Sequence, residues 1–252
     1  MTVRLVLIVL WTLPAMLIQA MILLFPGRGA ELFARIYWRS IGQILGLRLT
    51  VVGQVAARRP VIFVANHCSW LDIVALGSVL PGYFVAKSAI AKWPFVNCLA
   101  WLGGTVFVTR SRATVGREQN QLLARLAKGD NIILFPESTT SDGRRVLPFS
   151  SSFLAIAEAP GGPAVQPVTI VYDGLDGLPV QTYDRPEISW YGDMDMVSHF
   201  NGIGRRHSLH ATILLDPPIP PGTFAGRKAL TAALEARLAG NAAALRQGRR
   251  VT

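Results

Sequence analysis

Apolar residues run without a charge from Leu5 to Phe25, interrupted only by Thr12, Pro14 and Gln19. A run of that length matches a bilayer's hydrocarbon core and predicts an apolar helix. Over residues 30–45, Leu32, Phe33, Ile36, Tyr37, Ile41 and Leu45 recur at helical spacing while Arg35 and Arg39 share a face. That pattern predicts a second, amphipathic helix. Short apolar runs follow, predicting strands at 48–53, 60–65, 83–86, 105–109, 131–135 and 164–172. Helical patterns lie at 71–79, 95–102, 114–128, 151–159 and 227–246. Strands alternating with helices predict an α/β fold: a mixed, partly parallel sheet flanked by helices, preceded by an N-terminal apolar helix pair. Residues 187–219 read as further strands, closed by Pro217-Pro218. Glycine and proline mark turns at 161–163 and 174–179, but no linker or repeat divides the chain. The expected organisation is an anchoring helix pair over 1–47 and one domain over 48–252.

Composition sharpens the picture at the N-terminus. The 252 residues are 51% hydrophobic and only 16% charged, with 25 Lys plus Arg against 15 acids, a formal charge of +10. Up to residue 60 there are seven arginines and one acid, Glu31. Apolar surface beside arginines suits an anionic membrane surface. Nucleic acid is a poorer fit: no binding motif is present and the tryptophans do not alternate with basic residues. A signal peptide is also a poor fit, because only Arg4 charges the region before the apolar run and Gly27-Arg28-Gly29 is a weak cleavage site. The first segment therefore reads as a retained anchor, spanning or re-entrant. Cys68 and Cys98 supply no disulfide framework.

Candidate chemistry follows the run Val61-Ile62-Phe63-Val64-Ala65, where Asn66-His67 is trailed by Asp72. Such a run reads as a buried strand, so the histidine and aspartate fall where a strand ends and a helix could begin. An imidazole takes a proton from a hydroxyl near neutral pH, and a carboxylate on its other nitrogen fixes tautomer and orientation. This is half of a catalytic triad without an obvious nucleophile, which suggests a substrate that brings its own hydroxyl. The bland alternative is a buried histidine satisfied by a helix-capping aspartate. Cys68 is poorly placed to be activated by its neighbour, since adjacent extended residues point to opposite sides. No Gly-x-Ser-x-Gly elbow is present. His207 and His210 read as surface or strand residues. Three more blocks sit at strand ends or within strands: Gly104 to Arg110, Asn131 to Thr140, and Val165-Gln166-Pro167-Val168. An arginine fork suits phosphate or carboxylate, and a proline in an apolar strand suggests an edge, a bulge or a substrate-lining wall.

In order and spacing these blocks resemble the glycerolipid, or lysophospholipid, acyltransferase family. Its motifs are Asn-His-x4-Asp, Gly-x-x-Phe-x-x-Arg, Phe-Pro-Glu-Gly-Thr-Arg and a proline-containing apolar strand. The chain shows Asn66, His67 and Asp72; Gly104, Phe107 and Arg110; Phe135-Pro136-Glu137-Ser138-Thr139; and Pro167. The resemblance covers roughly residues 60–172, and the helices ahead of it look like that family's membrane-binding pair. It implies transfer of a fatty acyl group from acyl-CoA or acyl-carrier protein to the free hydroxyl of a lysolipid. The first expectation is 1-acyl-sn-glycerol-3-phosphate, giving phosphatidic acid. His67 would be the general base and Asp72 its orienting partner. Asn66, Gly104, Arg110, Glu137, Ser138, Thr139 and Pro167 would contribute to substrate binding, with Arg110 on the acidic headgroup. A thiolate leaves readily, so neither metal nor cofactor is expected. The expected location is the bacterial inner membrane, with the catalytic domain on the cytoplasmic side.

Three positions depart from the family pattern. Ser138 stands for a glycine that could serve positive φ or a close ligand approach, Thr140 for an arginine, and Ser150 for a lysine after Leu147-Pro148-Phe149. Arg144 and Arg145 could replace the lost cations. Residues 139–149 and Trp190 to Asp195 also resemble a bacterial branch that includes lyso-ornithine lipid acyltransferases, which keeps an amino-acid-lipid acceptor open. The competing class is a non-catalytic membrane-binding protein with the core as scaffold.

Overall fold

A computed structural model describes residues 2–88, 94–109, 115–158 and 162–249. Two helices open the chain, α1 (Thr2–Ile22) and α2 (Gly29–Leu45), the second ended by Gly46 in the left-handed region. The strands and helices that follow are β1 (Leu47–Gly53), β2 (Val61–Ala65), α3 (Leu71–Val79), β3 (Tyr83–Lys87), α4 (Pro94–Leu102) and β4 (Val106–Val108). Then come α5 (Val115–Ala127), β5 (Ile132–Leu134), β6 (Ala164–Leu175), β7 (Leu178–Pro179), α6 (Arg185–Ile188), α7 (Met196–Arg205), β8 (Leu209–Leu215) and α8 (Arg227–Arg246). The stretch expected as a helix over 151–159 is a short 3-10 segment, Phe153–Glu158.

The sheet runs β1-β8-β6-β2-β5-β3-β4, with β7 hairpinned onto β6. Every neighbouring pair along that path is parallel except β6 with β8. The expected mixed, mostly parallel α/β sheet is thus what forms. Each residue of β2 is fully buried, as a strand covered on both faces requires. Its side chains alternate between two cores. Val61, Phe63 and Ala65 meet α2 and α3 through Tyr37, Ile41, Leu45, Leu71, Ala75 and Leu76. Ile62 and Val64 meet α5 and α8 through Leu122, Leu126, Leu234 and Leu238.

Two expectations change. Residues 187–219, read as strands, hold α6 and α7 before the single strand β8. Asp195 caps α7 by accepting from Ser198 N at 2.7 Å, and Phe200 and Ile203 turn inward at helical spacing. Gly202 and Gly204 lower helix propensity and obscure that period in the sequence. The proline strand β6 is interior rather than an edge, lying between β8 and β2. Pro167 is tolerated because the β8 ladder ends beside it: pairing runs only from Val168 opposite Leu215, and Asp216 N donates to Pro167 O at 3.1 Å.

Helix α1 lies along the rest of the protein. Arg4 donates to the carbonyls of Arg206 (2.6 Å) and His207 (3.1 Å), Thr12 bonds the Tyr37 hydroxyl at 3.0 Å, and Gln19 donates to the carbonyls of Ala30 and Leu102. The opposite face exposes Val3, Leu10, Leu17 and Met21. By length and composition α1 is apolar enough to cross a membrane.

Candidate active site

Where β2 ends, Asn66 extends its pairing by side chain: the carboxamide donates to Ile170 O at 2.9 Å and accepts from Ile170 N at 2.8 Å. The backbone is then free to turn, and residues 67–70 lead into α3. Asp72 sits in the first turn of that helix, fully buried. A carboxylate there is favoured by the helix dipole. Its Oδ2 accepts from Cys68 N (2.7 Å), Ser69 N (3.0 Å) and His67 Nδ1 (2.8 Å), while Oδ1 accepts from the Tyr172 hydroxyl at 2.9 Å. With Nδ1–H directed at a carboxylate, Nε2 is left as the acceptor, the tautomer a general base needs.

The imidazole is fixed on further sides. Its face stacks on Phe135, with centroids 4.0 Å apart and planes 14° from parallel, and Phe135 stacks in turn on Phe84 at 6.0 Å. The backbone is clamped as well: His67 N donates to Glu137 Oε1 at 2.6 Å and His67 O accepts from Ser141 N at 2.9 Å. The second Glu137 oxygen accepts from Leu147 N at 2.7 Å. Glu137 thereby ties the histidine turn to the loop after β5. Burial pushes its carboxyl up to about 8, against the two amide donors that favour the charged form. The Cys68 thiol is also pushed well above its ordinary value, by burial and then by Asp72, which opposes a thiolate nucleophile.

The structure therefore brings Asn66, His67, Asp72 and Glu137 together at the C-terminal edge of the parallel strands, where open α/β sheets place ligands. Ser138 follows in the left-handed region with φ 66°, the conformation for which the family pattern's glycine is suited. Ser138 and Thr139 are both exposed. Pro167 is buried opposite Val64, one strand away from the turn. Gly104 lies before β4, at the opposite edge of the sheet from His67. It has φ 69° and packs so closely on Tyr83 that a Cβ would sit 2.6 Å from the ring. Arg110 lies outside the described residues; ahead of it, Glu118 accepts from Thr109 N at 2.6 Å. Among the described residues no group of three or more His, Cys, Asp or Glu is arranged to hold a metal.

Sequence reasoning missed Tyr172 and α7. Tyr172 stands at the far end of the proline strand, and burial with the Asp72 charge pushes its phenol well above the ordinary value. Trp70, which starts α3, donates to His199 Nδ1 at 3.0 Å and packs on Phe200, so α7 braces the helix that carries Asp72. A mostly apolar cleft of about 120 Å³ opens beyond Phe84, between α2, α3 and α4, lined by Ala34, Trp38, Ile73, Ala86 and Leu99 together with Glu31 and Arg35.

Residues 48–171 match the family model described as Acyltransferase. Over 239 residues the chain is 36% identical to the lyso-ornithine lipid O-acyltransferase of Rhizobium meliloti, covering 92% of this chain and 82% of that protein. It is also 36% identical over 125 residues to the 1-acyl-sn-glycerol-3-phosphate acyltransferase of Neisseria gonorrhoeae, covering 48% of this chain and 49% of that one. The crystal structure of the 1-acyl-sn-glycerophosphate acyltransferase from Thermotoga maritima shares the fold, with a TM-score of 0.61 at 22% identity over 85% of this chain and 79% of that chain.

Proposed function

Because the chain belongs to the acyltransferase family, we propose that it moves a fatty acyl group from a thioester to the free hydroxyl of a lysolipid, with His67 as the base. The observation that carries this reading is the His67–Asp72 contact of 2.8 Å, which leaves Nε2 as the acceptor. In the step, His67 Nε2 takes the hydroxyl proton as the oxygen attacks the thioester carbonyl. The new C–O bond forms, the C–S bond breaks, and the imidazolium returns its proton to the departing thiolate. Such positioned proton transfer supplies about 10²–10⁴-fold, and orientation supplies much of the rest. Asp72 holds the ring, Glu137 holds its backbone, and the cleft beyond Phe84 offers apolar walls to an acyl chain. The donor is acyl-CoA or acyl-carrier protein, both acidic and suited to a chain of charge +10.

For the acceptor, 1-acyl-sn-glycerol-3-phosphate is the first reading. A lyso-ornithine lipid is the second, favoured by the extent of similarity: the relative so named aligns over 92% of the chain, against 48% for the glycerol-phosphate enzyme. Residues 1–47 act as the membrane anchor of the catalytic unit 48–252. Since Arg4 and Gln19, near the two ends of α1, both bond the rest of the protein, the helix lies in the plane of one leaflet instead of crossing it.

The test uses the full chain in detergent, with radiolabelled acyl-CoA and acyl-carrier protein donors and a panel of both lysolipids. His67→Ala should abolish transfer while the protein stays folded by circular dichroism and bound to vesicles. Full activity in that variant overturns the mechanism. Activity with only one lysolipid decides the acceptor.

A further inference from the structure

Beside the histidine turn lies a small polar pocket enclosed by Asn66, Cys68, Ser141, Ser189 and three arginines, Arg145, Arg185 and Arg246. We propose that this pocket binds the acidic headgroup of the lysolipid acceptor, through a carboxylate or a phosphate. The inference rests on the acyl-transfer reading above.

The charge pattern is the first argument. Three guanidiniums converge from separate places in the chain, the loop after β5, the start of α6 and the end of α8, and no carboxylate lines the space with them. None of the three forms an ion pair among the described residues, whereas their neighbour Arg144 approaches Asp142 at 4.0 Å. Arg185 and Arg246 are partly buried, and each gives one N–H to the same acceptor, Gly143 O, at 3.0 and 3.4 Å. A guanidinium has five N–H donors in a planar fork, so most of their donor capacity is left for a ligand. Gathering like charges out of water is unfavourable unless an anion offsets it. Burial, reinforced for Arg246 by the Arg185 charge, holds both guanidiniums below their ordinary pKa.

Location is the second argument. Asn66 and Cys68, on either side of His67, form one wall, and Ser141 from another wall donates its N–H to His67 O. Cys68 O accepts from Trp190 N at 2.9 Å, so the segment after α6 is stitched to the same turn. A lysolipid's acidic group stands only a few bonds from the hydroxyl that attacks, so its binding site has to adjoin the base. Ser141 and Ser189 add hydroxyl groups to the lining. Gly143 permits the close approach: at φ 75° a Cβ there would fall 2.4 Å from Ser189 Oγ. The arginines also supply cations in a chain whose sequence has Thr140 and Ser150 in place of the family's arginine and lysine.

Phosphate monoesters and carboxylates both present paired oxygens to an arginine fork, so the experiment has an arm for each. KM and kcat would be measured for wild type, Arg145→Gln, and the Arg185→Gln/Arg246→Gln double variant, with 1-acyl-sn-glycerol-3-phosphate and lyso-ornithine lipid as acceptors. Expected is a rise of about tenfold or more in acceptor KM in the double variant, donor KM unchanged within twofold, and partial rescue by the Arg→Lys pair. The acceptor whose KM rises identifies the source of the anion. Arg145→Gln removes an exposed side chain that makes no hydrogen bond or ion pair among the described residues, so it guards against a result caused by misfolding.

A second readout needs no turnover. Inorganic phosphate and N-acetylglycine should raise the Tm of the His67→Ala protein, and the double substitution should abolish the rise. If wild type acylates neither lysolipid, the acyl-transfer reading falls and the Tm shift alone decides the pocket. Unchanged acceptor KM, a loss confined to kcat, or no anion-dependent Tm shift overturns the proposal.

Discussion

Among the described residues Asp72 receives four N–H and O–H donors, and one of them, His67 Nδ1, belongs to the proposed reaction. The others hold the carboxylate in a fully buried position and keep it aimed. Tyr172 is the most informative of these, because Oδ1 otherwise faces only the Cys68 thiol at 3.9 Å, too long for a strong bond. A hydrogen bond to a charged group contributes about 1.5–3 kcal/mol. Tyr172→Phe should therefore lower kcat about tenfold with both KM values unchanged, a split that steady-state kinetics resolves. Ser138 carries a different strain. At φ 66° a side chain other than glycine costs about 1 kcal/mol. Ser138→Gly should raise stability by about 0.5 kcal/mol or more in urea unfolding, the flexibility of the unfolded chain offsetting part of the gain. A destabilised variant would mean that the serine serves the turn better than its backbone suggests.

At the scale of elements, the helix pair and the sheet share one core. Leu45 and Ile41 of α2 pack with Phe63 of β2 and Leu71 of α3. Helices α2 and α3 meet tightly at Gly77, where a Cβ would lie 2.5 Å from Trp38 Cδ1. Overpacking of this kind costs about 1–3 kcal/mol. Gly77→Ala should lower Tm and move Trp38 fluorescence, and it should narrow the cleft that Trp38 and Gly77 both line. An unshifted Tm would show that α2 yields easily. The orientation of α1 is testable at the same scale. Val3 and Leu17 are each 70% exposed and lie about 21 Å apart along the helix at 1.5 Å per residue. Fluorophores on cysteines at these positions should report equal depths in vesicles containing quencher lipids. Depths differing by most of that distance would mean that α1 crosses the bilayer.

Across the whole molecule, what could be read from the sequence was what is local. The fully buried β2 announced itself as five apolar residues in a row, and His67 and Asp72 stand five apart across one strand-to-helix turn. Alternating runs sufficed for β3, β5 and β6, and the glycine normally expected at 138 foretold the positive φ found there. What escaped was set by contacts distant in sequence or by weak local signals. Tyr172 reaches Asp72 from 100 residues away, and Arg185 and Arg246 meet at a carbonyl they share only in the fold. Helix α7 escaped because two glycines blur its period and because its apolar face is explained only by Trp70 and the core beneath it.

The clamps on the histidine turn have a consequence for how this enzyme comes to life. The proposed catalytic pair is encoded before residue 73, yet further supports come from Glu137, Ser141, Tyr172 and Trp190. A chain emerging from the ribosome holds both side chains, with the Cys68 and Ser69 amides that meet Asp72, long before it holds the supports from residues 137–190. The clamps from β6 and from the segment after α6 reach β2 across long sequence separations, contacts of the kind that form slowly. On the proposed function, a chain truncated before residue 190 lacks these clamps and should not transfer acyl groups from thioesters.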